Sequence, residues 1–369
     1  MTGKRLRMNK VSFCINGRFL GRRITGVQRY GREVVRELDL RLSTLDGVIN
    51  AEILVPQIPK DLPSYRAIRV RRVGFLTGHA WEQLELPFYC HGRPLFTPSS
   101  AAPLLYPKNL PTIHDTAIFS APSGYSARYG NWYKILGWIL CRTSLKVLTV
   151  SEFSKAELLR WCCKRPESIV VTYSGWDHAV AAEPDPRVLE KWGLLPGRYI
   201  LSVGSKNPNK NFRGVALALP YLRGCGLDIV IAGHHDDPVF RRTAADFPGI
   251  KSIGYVTDPE LRSLYENAAC FVFPSLYEGF GLPPLEALAL GCNRVVVSDR
   301  ASLPEIYAGM ASFCDPGSPQ DIAEKVLAAI GAPRRTQEES RELQAQIRRY
   351  SWKACADKVW EALHEFLDE

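Results

Sequence analysis

Short apolar runs alternate along this chain with stretches whose apolar residues recur every three or four positions. Residues 11–16 read as a strand. A loop with Gly17, Gly21 and Gly26 follows, and over 27–42 Tyr30, Val34 and Leu38 share one helical face. Residues 51–55, 110–113 and 145–150 predict further strands. Ser151 then reads as the N-cap of a helix carrying Ser154, Ala156 and Leu159.

The pattern restarts in the second half. Strands are predicted over 198–203, 228–232, 250–255, 270–273 and 294–298. Helices are predicted over 258–268, near 302–308 and over 319–330. The last segment, 352–367, is an amphipathic helix free to pack on either half. Strands alternating with helices predict an α/β chain with parallel sheets. The two halves share an alternation, not a sequence repeat.

The 369 residues suit two domains, each of roughly 180 residues. The proline-bearing stretch 182–196 reads as helix-poor and as the boundary. The expected division is 1–183, 184–350 and a final helix over 351–369 that is able to pack back on the first unit. Composition adds little to this: 46% hydrophobic and 23% charged residues allow an ordinary core. No apolar run reaches the length of a bilayer span, and Lys134, Arg142 and Lys146 break the aromatic-rich stretch 132–150. The N-terminus is basic, with Lys4, Arg5, Arg7 and Lys10, but 11–15 is too short for a signal core. A cytoplasmic protein is expected. The ten cysteines are scattered without the spacing of a zinc site or disulfide framework, so free thiols are expected.

Charge changes the picture more. Residues 1–183 hold 26 Lys and Arg against 14 Asp and Glu, while the remainder holds 21 against 24. The basic excess therefore lies wholly in the first half. It serves solubility or draws an anionic partner, a phospholipid surface or a lipid pyrophosphate. No nucleic-acid motif accompanies it.

Candidate chemistry gathers in YEGFGLPPLEALALG, residues 277–291. Gly279 and Gly281 let backbone amides approach an anion. Pro283 and Pro284 suit the first turn of a helix. The amides of Phe280, Gly281 and Leu282 are then expected to face a phosphate at the positive end of the helix dipole. Glu286 can accept hydrogen bonds from a ribose diol, and Glu278 from the hydroxyls of a sugar beyond the phosphate. An acidic first turn behind a glycine turn, with no ligand, shows the same letters.

These residues carry a resemblance. The pattern E-G-F-G-L-P-P-L-E, followed by a strand and SLPEIYAG, resembles the retaining glycosyltransferases of family four. TGVQRYGREVVREL, WEQLELP, TIHDTAIF, VLTVSEFSKAELL, SVGSKNPNKNF, IAG and GYVTDPELRSLYENAACFVF arrive in that family's order. The resemblance implies the GT-B fold, two Rossmann-like domains facing across a cleft. It implies a catalytic set of Glu278, Lys210 and His114, with Lys210 stabilising the leaving diphosphate. It implies donor-binding roles for Glu286, Phe280, Gly281, Leu282, Ser205, Lys206, Gly26 and Asp115. It also implies a nucleotide-diphosphate sugar as donor, a polysaccharide or lipid-linked glycan as acceptor, and no metal or other cofactor. Branch resemblance, carried partly by Trp81-Glu82-Gln83, makes GDP-mannose the first expectation for the donor. Peripheral contact with an anionic inner membrane face fits the same picture.

One position departs from the pattern. Many relatives place arginine straight after the glycine equivalent to Gly204; this chain has Ser205 and then Lys206. A second cation at the diphosphate is therefore an open question. A sugar-nucleotide epimerase and a non-catalytic nucleotide-sugar-binding scaffold remain as alternatives. The pair Asp177-His178 reads as an interdomain turn. HHDDP at 234–238 reads as a solvated turn, not a cation site.

Overall fold

The computed structural model describes residues 11–45, 49–120, 127–162, 165–205, 207–233, 250–333 and 335–368. Its first sheet has the order β3-β2-β1-β4-β5, built from Val11–Asn16, Ile49–Val55, Arg69–Arg72, Leu95–Thr97 and Asn109–Pro111 as β1 to β5. All its pairings are parallel. A bridge from Thr112 to Leu148 continues it towards the parallel pair β6, Val147–Thr149, and β7, Ile169–Val171. The second sheet is also parallel, in the order β10-β9-β8-β11-β12-β13. Its strands β8 to β13 are Tyr199–Gly204, Asp228–Gly233, Ile250–Gly254, Cys270–Phe273, Val295–Ser298 and Ser312–Cys314.

Each sheet is buried on both faces, as crossover helices require. In β8, Ile200 joins one core and Leu201 the other. In β9, Ile229 and Ile231 face the helix Phe212–Leu222, while Val230 and Ala232 face the opposite layer. β1 repeats this: Phe13 and Ile15 enter one core and Cys14 the other. The period-two alternation of strands divides continuous apolar runs between two helix layers.

The helix α1, Gly26–Ser43, is two residues longer than its apolar spacing predicts. The C-terminal helix Trp352–Asp368 packs along α1 and against β1 and β7. Val359, Leu363 and Phe366 fill the groove between them.

Several elements correct the sequence reading. The stretch 182–196 contains the helix Arg187–Trp192, closed by Gly193 at φ +56°. Asp177 and His178 begin the helix Asp177–Ala181 instead of a turn. β3 went unseen because its sequence RVRR has an edge strand's charge and little burial. β4, β7 and β13 have three residues each, too few for a period to show. The helices Ala127–Thr143 and Gln337–Arg348 were also missed. The nine described cysteines are all free thiols.

Candidate active site

In an open parallel sheet the chain order reverses at one point, and the loops leaving the two strands there diverge to leave a crevice. In the second sheet that point lies between β8 and β11. In the first it lies between β1 and β4. The two crevices meet in a cleft of about 600 Å³. Glu278, Lys210, His114, Glu286, Phe280, Gly281, Leu282, Ser205, Gly26 and Asp115 all line it. Lys206 and the HHDDP segment lie outside the described residues.

Lys210 comes from the loop after β8. The Asn207 side chain accepts from the Asn209 N–H at 2.9 Å and starts the turn Pro208–Lys210. Asn211, left-handed at φ +53°, ends it. Its Nδ2 donates to Pro274 O at 3.0 Å and to Pro316 O at 2.8 Å. The Leu276 N–H donates to Asn209 O at 2.7 Å, tying this loop to the one after β11. Lys210 Nζ then meets Glu278 Oε1 at 2.7 Å. Ser275 Oγ donates to the same oxygen at 2.6 Å. Among the described residues Glu278 Oε2 has no partner, which leaves it open to a ligand hydroxyl.

Two glycines are required where they stand. A Cβ on Gly279 would lie 2.1 Å from the His114 carbonyl oxygen, so this loop closes on the opposite wall only as glycine. Ser151 Oγ donates to the Gly279 carbonyl at 2.6 Å and fixes the approach. Gly281 is the N-cap of the helix Leu282–Ala289 at φ +86°, with Pro283 and Pro284 in the first turn. Tyr307 Oη donates to its carbonyl.

Glu286 is 8% exposed. His178 Nε2 lies 3.0 Å from its Oε1, and Tyr265 Oη donates to its Oε2 at 2.9 Å. Burial alone would raise its pKa. The His178 and Tyr265 hydrogen bonds and the Arg29 charge outweigh burial and hold it below the ordinary value. It is a carboxylate at neutral pH.

On the opposite wall His114 is buried, with Tyr30 edge-on at 4.8 Å between ring centroids. Its Nε2 lies 3.0 Å from Pro98 O. A carbonyl only accepts, so Nε2 carries the proton and Nδ1 is bare. Burial lowers its pKa to about 4, so the ring is neutral. Asp115 Oδ1 accepts from the Ala117 N–H at 2.9 Å, capping the helix Ala117–Ser120. Its side chain is open to cleft water yet crowded by the loops around it, and that crowding raises its pKa.

Charged straps join the walls. Arg29 of α1 binds both carboxylate oxygens of Asp258, at 2.6 and 2.7 Å. Glu305, from SLPEIYAG, accepts the N–H groups of Glu152 and Phe153 at 2.9 and 2.8 Å, capping the helix Glu152–Cys162 of the other half. Sequence spacing did not reveal these partners, nor Ser275, Tyr265 or His178. Trp81-Glu82-Gln83, by contrast, serves packing. Trp81 Nε1 donates to Val73 O at 2.8 Å, and buried Glu82 holds Asn16 and Arg18 at 2.8 and 2.5 Å. Gln83 Nε2 donates to Ala102 O at 2.8 Å.

Comparison with known proteins places this geometry. Residues 190–351 match the family described as "Glycosyl transferases group 1". The chain is 29% identical over 376 residues to O-antigen chain mannosyltransferase B of Escherichia coli, covering 91% of this chain and 95% of that protein. It is 28% identical over 176 residues to the GDP-mannose-dependent alpha-(1-6)-phosphatidylinositol dimannoside mannosyltransferase of Mycobacterium tuberculosis, 46% of this chain and 45% of that one. Sucrose-phosphate synthase from Thermosynechococcus elongatus superposes with a TM-score of 0.74 at 16% identity, covering 98% of this chain and 100% of that one. The chain carries a group 1 glycosyltransferase domain on a GT-B fold. It is a glycosyltransferase, and neither the epimerase nor the scaffold alternative gains support.

Proposed function

We propose that the protein is a retaining mannosyltransferase that takes mannose from GDP-mannose and passes it to a hydroxyl of a growing O-antigen-type polysaccharide or lipid-linked glycan. The observation that carries this reading is that Glu286, Lys210 and Glu278 line a single cleft, where we assign them to the ribose, the diphosphate and the sugar. The mannosyltransferase names of the two relatives support the sugar, and the GDP-mannose dependence of one supports the base.

The chemistry follows from charge. As the bond from C1 to the diphosphate oxygen breaks, negative charge grows on the leaving phosphate. The Lys210 ammonium and the amides of Phe280, Gly281 and Leu282 offset it. The acceptor oxygen bonds C1 on the face the phosphate leaves, and the phosphate takes the acceptor proton. Glu278 orients the sugar through its hydroxyls. These groups supply the electrostatics without a metal or other cofactor. A thermal-shift and hydrolysis screen against GDP-, UDP- and dTDP-sugars, with EDTA present, tests this. Stabilisation and slow sugar release with GDP-mannose alone are expected. Loss of both under EDTA, or a response to another base only, overturns the assignment.

The acceptor side faces a membrane in this proposal. Phe75 and Phe88 are 92% and 76% exposed. In the helix Ala127–Thr143, Trp132 packs on His79 at 6.2 Å between ring centroids. Trp138 and Ile135 of that helix are exposed, and Arg142 lies 4.1 Å over the Trp138 ring. Aromatic and basic groups together suit an anionic lipid surface on the cytoplasmic side. No described helix is long and apolar enough to cross a membrane. Flotation with vesicles containing anionic lipid should carry the protein upward, and Phe75→Ser with Phe88→Ser should abolish this. Equal flotation of wild type and variant removes this surface from the proposal.

A further inference from the structure

Glu286 does not hold its place alone. Trp352, the first residue of the C-terminal helix, is fully buried. Its Nε1–H donates to His178 Nδ1 at 2.9 Å. An indole nitrogen can only donate, so Nδ1 must accept and carries no proton. His178 is thereby fixed as the Nε2–H tautomer, and Nε2 donates to Glu286 Oε1 at 3.0 Å. Tyr265 Oη occupies the other oxygen at 2.9 Å. Each carboxylate oxygen thus has one interior donor and keeps a lone pair for a ligand.

The backbone around the chain of bonds is equally constrained. Asp177 Oδ1 accepts the Trp352 N–H at 2.9 Å. A Cβ on Gly175 would lie 2.1 Å from the Trp352 nitrogen. Trp176 Nε1 donates to Ile347 O at 3.1 Å. Residues 175–178 and 347–352 are the two places where the chain crosses between the sheets. The bonds that set Glu286 therefore run through both crossovers.

We infer that Trp352 and His178 are positioning residues for donor binding: Trp352 fixes the His178 tautomer, and His178 fixes the Glu286 carboxylate towards the ribose diol of the nucleotide. This rests on the reading of Glu286 as the ribose-binding acid. Neither residue lies among those lining the cleft, so each acts through Glu286. The effect falls on ribose recognition, which ground state and transition state share, so KM rises while kcat stays.

The test is the preference for ribose over deoxyribose. Calorimetry would compare GDP with 2′-deoxy-GDP, and UDP with 2′-deoxy-UDP, in wild type, Glu286→Gln, Trp352→Phe, His178→Gln and His178→Phe. Wild type should favour the ribonucleotide by about tenfold, the weight of one hydrogen bond to a charged acceptor. Glu286→Gln and His178→Phe should erase that preference. Trp352→Phe should reduce it several-fold and shift the imidazole ¹⁵N resonances of His178 away from the pure Nε2–H pattern. His178→Gln, which keeps an N–H donor, should retain part of it. If Trp352→Phe does not fold, the two His178 variants decide alone. An unchanged preference in the Trp352 and His178 variants, with loss in Glu286→Gln, overturns the inference and leaves the ribose reading standing. An unchanged preference in Glu286→Gln overturns both.

Discussion

The two walls of the cleft are built on different principles. The C-terminal wall presents charge held in place: Lys210 paired with Glu278 at 2.7 Å, and Glu286 held by a hydrogen bond from His178 at 3.0 Å. The N-terminal wall carries Arg29 and Asp115, but at His114 it presents shape and a neutral ring. His114 is buried against Tyr30, and the Gly279 loop closes on its carbonyl oxygen. The difference suits a ligand with a charged end and a neutral end. In the proposed reading the charges of the C-terminal wall meet the diphosphate and ribose, and the neutral His114 ring meets the sugar. Arg29 with Asp258, and Glu305 with the helix Glu152–Cys162, hold the unlike walls at a set distance.

The largest break in this comparison comes from removing charge on the C-terminal wall. Lys210→Met takes away the cation that the proposal assigns to the leaving phosphate and should lower kcat by about 10²- to 10³-fold, the usual cost of one transition-state donor. Glu278→Ala should cost a similar factor, since it removes the carboxylate that the proposal assigns to the sugar hydroxyls. Both variants should retain the wild-type far-ultraviolet dichroism. Turnover within threefold of wild type for Lys210→Met would show that another cation serves the diphosphate. Ser205 cannot be that cation.

Legibility followed the same division. The C-terminal wall could be read because its chemistry is local. Two acids, two glycines and two prolines within 278–286 describe a loop and helix start by themselves. The strands β8, β9, β11 and β12 could be read because continuous apolar runs suit a sheet buried on both faces. The N-terminal wall was harder. His114 sits in a loop, and what neutralises it is burial by Tyr30 from another element. The helix Ala127–Thr143 was missed because its apolar residues are partly surface-exposed, so no single buried stripe stands out. His178 was hidden for a geometric reason: its partners Glu286 and Trp352 are 108 and 174 residues away. Spacing along a chain carries no trace of a contact made only when two crossovers meet. Glu305 is of the same kind. Its motif was visible, but its use as a cap on the opposite half was not.

The smaller and sharper test lies on the neutral wall. Burial lowers the His114 pKa from 6.5 to about 4. Between those values the unfolded chain binds a proton that the folded chain refuses. The contribution of a neutral His114 to stability is therefore complete above pH 6.5 and is lost as pH falls towards 4. At pH 5 the loss is on the order of 2 kcal/mol, from a 1.5-unit gap at about 1.36 kcal/mol per unit. Glu286, whose pKa is held low, also loses stability on acidification, so the comparison must be made against a variant. His114→Asn removes the titrating ring and keeps a polar side chain. The stability difference between wild type and this variant should slope with pH from 6.5 down to 4 and be flat above. Over pH 5 to 8 the wild-type kcat/KM should show no inflection from His114, because its charge does not change there. A His114 proton resonance titrating near 6.5 would contradict this: the ring would then be solvated and chargeable, and the contrast between the charged groups of one wall and the neutral ring of the other would not hold.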